Sequence, residues 1–280
     1  MDIAIVGAGT VGTAVAVAWT RAGHRITAVS GGSATGERAA SWLPGVPVRP
    51  LDEVTEGAAL VVFGVPDDAL ATTVAAVAPH LRPDTWVVHL SGAARLDVFA
   101  IARARPLAVH PLQTFADVAG AIDALPGCSV AVTALDDEGW ALGDQLAIDL
   151  GAVPFRLADE HRPLYHAAAV FASNYLVAVA GAAEQLFASA GVPDPATAMR
   201  PLQRATLDNV GRLGARDALT GPAVRGDAGT VERNLEAVAA ASPALVPAYV
   251  ELCRVALQVA GPRLADEARA TVEVVLRRWS

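Results

Sequence analysis

The sequence predicts an α/β protein in two parts, a parallel β-sheet interleaved with helices followed by an all-helical second half. Two observations carry this, and a third sets the boundary. Up to about residue 157, short β-rich apolar runs alternate with Ala-rich segments of helical period, the pattern of βαβ units. From about Asp159 the texture changes to long helical stretches, divided at Gly191 to Pro195, Gly221 to Pro222 and Ser242 to Pro243. At roughly 100 to 200 residues per domain, a chain of 280 residues suits two domains, read as 1–157 and 158–280.

Strands are expected at Ile3 to Val6, Arg25 to Val29, Leu60 to Gly64, Thr85 to Leu90, Leu107 to His110 and Ser129 to Thr133, with a short last one at Val153 to Leu157. Their β-branched content suits a pleated, buried surface. Helices fall between them, near Val11 to Ala22, Asp67 to Ala78 and Glu138 to Leu150. The acid pairs Asp67-Asp68 and Asp136-Asp137 stand where helices begin, and negative charge there favours the dipole. Asp67 reads as an N-cap. After His161 a long helix begins. Its uncharged stretch, Ala167 to Ala183, is short for a membrane span, rich in Ala, and interrupted by Ser173 and Asn174, so a buried central helix is expected. The cleft between the two domains should lie near the start of that helix.

Composition excludes several functions. A formal charge of −8 argues against binding the phosphate backbone of nucleic acid. All 21 basic residues are arginine, so Schiff-base chemistry and a phosphate-loop lysine are excluded. Cys128 and Cys253 form no CxxC pair or disulfide framework, which suits a reducing compartment. An acid at Asp2 leading directly into a strand leaves no room for a signal peptide, so a cytoplasmic protein is expected. His161 and His166 are five apart, an awkward spacing for two ligands on one helical face, and no HExxH or Cys-rich set exists; no metal site is expected. No GxSxG elbow surrounds Ser33, Ser91 or Ser173.

The first strand is followed by Gly7, Gly9 and Gly12 in a GxGxxG motif that opens a helix. The first glycine permits the tight turn, the second lets backbone approach a pyrophosphate, and the third lets helix and strand pack closely. Thr10 and Val11 begin the helix whose free N–H groups face the anion. This predicts a Rossmann-type sheet with a nicotinamide dinucleotide at the motif. At the end of the second strand, an acid would bond the ribose hydroxyls of NAD; Ser30 stands there, followed by Gly31, Gly32 and Ser33, with Arg38 a turn later as a cation for a 2′-phosphate. NADPH is therefore expected. Val65 and Pro66, and Ser91 with Gly92, follow two further strands and point toward the same crevice, although Ser91-Gly92 also reads as an ordinary turn.

Three clusters mix polar groups with residues that bend or stiffen the chain: His110 to Thr114, His166 to Asn174, and Thr220 to Asp227. Here the chain resembles a family of uncharacterised Rossmann-like oxidoreductases with a C-terminal helical domain of unknown function. The matching stretches are HLSGA from His89, HPLQTF from His110, YHAAAVFASNYL from Tyr165 and LTGPAVRGDAGT from Leu219. That family is similar to ketopantoate reductases and pyrroline-carboxylate reductases. The resemblance implies a helical dimerisation domain, a homodimer, and reduction of a C=O or C=N bond beside a carboxylate. Ketopantoate reductases carry a lysine on the long helix, and this chain has none.

A reductase needs a proton donor for the atom that gains charge, and groups that hold the substrate. His166 is the candidate acid and Asn174, eight residues on, the positioning partner on the same helical face; a hydrogen-bonded core histidine is the alternative for His166. His110 is the second candidate. Arg225, with Thr220 and the backbone of Gly221, would clamp a substrate carboxylate, assisted by Gln113 and Thr114. The same loop also reads as a structural turn in which Asp227 caps a helix. The expected activity is NADPH-dependent reduction of a small carboxylated oxo compound, with 2-dehydropantoate first. A cyclic imine such as pyrroline carboxylate is the second reading, and an NADPH sensor without turnover the third.

Overall fold

The computed structural model describes residues 1–280. They divide into two compact units, Met1–Asn174 and Tyr175–Ser280.

The first unit is built on seven strands: β1 (Asp2–Val6), β2 (Arg25–Ser30), β3 (Leu60–Phe63), β4 (Trp86–His89), β5 (Arg105–Leu112), β6 (Ser129–Ala134) and β7 (Val153–Arg156). Between and after them run α1 (Thr10–Arg21), α2 (Thr35–Trp42), α3 (Asp67–Val77), α4 (Val118–Ala124), α5 (Asp137–Asp149) and α6 (Arg162–Ala172). The spatial order is β2-β1-β3-β4-β5-β6-β7. The chain winds outward from β1 in both directions, which places a ligand-binding switch point at the carboxyl ends of β1 and β3. Alternate strand residues face opposite layers. Ile3, Ile5, Val62, Val88 and Leu107 pack with Trp19 and Leu146 on one side, and Ala4, Val6, Val61 and Phe63 pack with Leu70 and Phe99 on the other. Trp19 Nε1 donates to Leu146 O at 2.9 Å, tying α1 to α5 across the buried layer.

Four expectations are corrected. The sheet is not wholly parallel: β6 runs antiparallel to β5, with Leu107 opposite Ala134 and Leu112 opposite Ser129. Apolar periodicity reports which residues are buried and is blind to strand direction. The same ladder carries β5 two residues beyond His110, which faces Ala131 within it and does not end the strand. Asp67 is the first residue of α3 rather than its cap; Pro66 precedes it as N-cap, and Asp67 and Asp68 lie together in the first turn. Finally, the long helix after His161 is broken. Ser173 takes φ −127° and ψ −71°, so α6 ends at Ala172 and a separate helix, α7 (Asn174–Ser189), begins.

The second unit is all helix. It holds the rest of α7, then α8 (Pro195–Leu213), α9 (Ala215–Ala218), α10 (Ala228–Ala241), α11 (Val246–Ala260) and α12 (Asp266–Arg278). Its core is formed by Val231, Leu235, Val250, Leu257, Val272 and Leu276 from the last three helices. The expectation of a buried central helix fails here: α7 buries no residue, and Val177 is 71% exposed. Composition makes a helix apolar without saying what covers it. Two stretches, Asp159–Ser189 and Pro243–Arg263, are long and apolar enough to cross a membrane.

Candidate functional site

The glycine turn is a place where three backbone segments meet. Gly7 has φ +93°, a conformation that only glycine adopts freely. A methyl on Gly12 would lie 2.3 Å from Gly7 O, and one on Gly64 would lie 2.8 Å from the same oxygen. A methyl on Gly9 would meet nothing within 4 Å. Gly7 and Gly12 are thus required for packing, whereas Gly9 faces open space that a ligand can occupy.

Gly9 is also the N-cap of α1 and supplies no side-chain cap, so the first helical N–H groups, at Thr10, Val11 and Gly12, have no intrahelical partner. The N–H groups of Gly7 and Ala8 are already committed to Ser30 O at 2.8 and 2.9 Å. An anion would therefore be held by the start of α1 rather than by the turn itself.

An open cleft of 320 Å³ adjoins this turn, bounded by Gly7 to Gly9, residues 31–35, Arg38 and Gly64 to Pro66. Of the expected cofactor residues, Gly7, Gly9, Ser33, Arg38, Val65 and Pro66 line it. Ser30 does not. Its side chain is buried, and its carbonyl braces the turn. Arg38 donates to Ala8 O at 2.7 Å through one nitrogen, which anchors the guanidinium at the rim. Ser91 behaves as a turn former: its hydroxyl accepts from Ala93 N and Ala94 N at 3.2 and 2.9 Å.

Two strands further along the same carboxyl edge, a second cluster forms around Gly92. A methyl there would lie 2.8 Å from His166 Nδ1 and 2.9 Å from His110 Nε2, so both rings converge on one point. His166 Nδ1 is buried without a hydrogen-bond partner. His110 Nδ1 is hydrogen-bonded to the Tyr165 hydroxyl at 2.8 Å, with the rings edge to face. Burial, with help from Arg162 and His166, holds the His110 ring down at about 4, so it is neutral at pH 7. Burial pushes the Tyr165 hydroxyl up to about 12. His89, just before this turn, is buried with neither ring nitrogen partnered; it stacks on Phe99 and is held down to about 3, chiefly by burial.

Sequence reasoning missed Tyr165 and Arg162 as members of this cluster. Tyr165 stands in a quoted stretch, but its partner His110 is 55 residues away, and spacing along one helix cannot reveal such a pair. Within the first unit, the other expected residues make no hydrogen bond to this cluster. Gln113 and Thr114 are exposed and bonded to one another, with Thr114 N donating to Gln113 Oε1 at 2.8 Å. Asn174 is exposed beyond the break at Ser173, which interrupts the single helix it was expected to share with His166. Within the second unit, Thr220 and Arg225 are exposed on the loop between α9 and α10, and Gly221 has φ +116°. Asp227 caps α10 by accepting from Thr230 N at 3.0 Å, as the structural reading of that loop expects.

Residues 1–111 match a Rossmann-like domain, and residues 128–256 match a domain of unknown function, DUF2520. No protein of curated function matches the chain. Among solved structures, a Bacteroides fragilis protein named provisionally as an NADP oxidoreductase is 26% identical, with TM-score 0.80 over 92% of this chain and 98% of that one. A reductive aminase of Aspergillus terreus, in complex with NADPH and ethyl levulinate, is 16% identical with TM-score 0.68 over 98% of both chains. An imine reductase of Myxococcus stipitatus, in complex with NADP+, is 14% identical with TM-score 0.68 over 100% of this chain and 99% of that one. The last two share the fold. The chain is thus similar to a Rossmann-like domain over its first part and to a DUF2520 domain over most of the rest, in keeping with the Rossmann-like oxidoreductase family that its motifs resemble.

Proposed function

We propose that the chain is a cytoplasmic, NADPH-dependent reductase acting on the C=O or C=N bond of a small carboxylated compound. One observation carries this reading. Along a single carboxyl edge of the sheet, an uncapped helix above an open glycine turn is followed, two strands on, by a pocket of converging proton-bearing rings. The first arrangement fits a dinucleotide pyrophosphate. The second fits a reaction in which an atom gains negative charge and must be protonated.

NADPH, when bound, supplies the hydride. The start of α1 would hold its pyrophosphate, with room left by Gly9, and Arg38 and Ser33, which line the cleft, would hold the 2′-phosphate. His166 is the donor that protonates the reduced atom; its Nδ1, packed against Gly92, has no protein group to hydrogen-bond with. His110, neutral at pH 7, does not act as an imidazolium acid. Its part is to orient the Tyr165 hydroxyl, a second donor to the developing charge. Asn174, and the carboxylate clamp of Arg225 with Thr220 and Gly221, remain part of this proposal, as do Gln113 and Thr114 at the substrate.

2-Dehydropantoate is the first substrate to test. A cyclic imine such as pyrroline carboxylate is favoured by a specific feature: the pocket has no lysine and its His110 and His89 rings are held neutral, and an iminium substrate arrives already protonated. Imine reductases are also among the proteins that share this fold. The bare apolar face of α7 is covered by a second copy of the chain, giving a homodimer, rather than by a membrane, and a net charge of −8 keeps nucleic acid away.

The test is NADPH oxidation by the purified protein against 2-dehydropantoate, other branched 2-oxo acids and pyrroline carboxylate, with NADH in parallel. Turnover of one compound with NADPH is expected. Tight NADPH binding without turnover of any of them would replace the reductase with a dinucleotide sensor.

A further inference from the structure

Arg162 is a wholly buried cation that makes no ion pair. Taking a guanidinium out of water is costly unless every donor finds an acceptor. Here Nε donates to Ala94 O at 2.6 Å, one terminal nitrogen to Thr133 Oγ1 at 2.9 Å, and the other to Ser91 O. The three acceptors come from both ends of the turn after β4 and from β6. Thr133 in turn donates to Leu157 O at 2.8 Å. The turn is also closed from within by the Ser91 hydroxyl. Gly92, in the middle of that turn, is the atom group against which His110 and His166 both abut.

Resting on the reductase reading above, we propose that Arg162 is the positioning residue of the histidine pocket: it fastens the Ser91–Ala94 turn to β6 and α6, so that Gly92 sets where the His110 and His166 rings stand. The planar fork matters, because three acceptors in different directions suit a guanidinium and not an ammonium. The charge has a second effect on the same rings. It opposes protonation of His110 and His89. The groups facing His110 are Arg162, Tyr165 and His166 from α6 and His89 from β4, while Asp67 at the head of α3 and Asp159 before α6 face Arg162 and temper its field.

The test follows the ring C–H resonances of His110 and His166 by NMR in the full-length protein without cofactor, assigned by their loss in His110→Phe and His166→Phe. Arg162→Met removes fork and charge, Arg162→Lys removes the fork alone, and Thr133→Val removes one acceptor. The His110 midpoint is expected to rise by about one pH unit in Arg162→Met. It should hold in Thr133→Val, where both rings shift in resonance position. If Arg162→Met fails to fold, Arg162→Lys and Thr133→Val carry the test. Ring resonances unchanged in a folded variant overturn the proposal, as does an unmoved His110 midpoint in folded Arg162→Met. These readouts need no turnover, so an inactive wild-type protein would count against the reductase reading alone.

Discussion

Gly12 and Gly92 both stand where a methyl group has no room, yet the obstacles differ. At Gly12 the obstacle is the carbonyl oxygen of Gly7, a backbone atom fixed by β1 and α1. At Gly92 the obstacles are two imidazole rings, which can turn aside at the expense of their alignment. The first glycine is therefore a requirement of the fold and the second a requirement of the pocket. The contrast extends to the two ends of the sheet edge. The glycine-turn end is made chiefly of backbone from three strand ends, and the histidine end of side chains brought from β5 and α6.

Substitutions can break this contrast or sharpen it. The largest effect is expected from Gly12→Ala, which should abolish NADPH binding and destabilise the protein by about 3 kcal/mol, read by fluorescence titration and thermal unfolding. Wild-type affinity in that variant would mean the turn relaxes more easily than its contacts imply. His166→Ala should lower kcat by about 10² to 10⁴-fold while leaving unfolding and NADPH affinity in place. A variant that loses stability and keeps its turnover would make His166 a core histidine. Gly92→Ala should behave like a weaker version of His166→Ala, with kcat down about tenfold through misplaced donors and NADPH affinity kept. Loss of cofactor binding there would erase the distinction drawn between the two glycines.

Smaller effects follow at the margins of the two sites. Arg38→Ala should weaken NADPH about tenfold, roughly the loss of one charged hydrogen bond, and leave NADH unchanged. Equal losses for both would assign Arg38 to the glycine turn through Ala8 O. The pH dependence of stability tests the buried rings. An unfolded chain protonates its histidines near the ordinary 6.5, but folded His110 and His89 take a proton only near about 4 and about 3. The unfolded state thus binds more protons in between, and stability is lost as pH falls from about 6.5 toward 3. His89→Phe, which keeps the stack on Phe99 and removes two unpartnered nitrogens, should flatten that slope and raise Tm at pH 5. An unchanged slope would locate the acid sensitivity elsewhere.

Much of the first unit was legible because its signals are local. β-Branched runs located all seven strands, and the glycine motif with its flanking strand and helix marked the cofactor turn. Strand direction was not legible, since β5 and β6 bury the same kinds of residue whichever way they run. The helices α2 and α4 were passed over; each is short, and α4 contains Gly120 within seven residues. The break at Ser173 had a faint signal, because Ser and Asn side chains compete for backbone hydrogen bonds and favour helix ends. For the pocket, His110 and His166 were singled out as residues, but their meeting at Gly92 and the bond from His110 to Tyr165 depend on tertiary structure. Arg162 looked like one arginine among 21, and only its burial separates it from the rest.

Two of the three oxygens that receive Arg162 are main-chain carbonyls, at Ser91 and Ala94. Every amino acid brings that atom with it, so at these two positions the fork reads the course of the backbone and not the identity of the side chain. The side chain itself is specified at Gly92, where two rings leave no room for a methyl, and at Thr133, whose hydroxyl receives the fork.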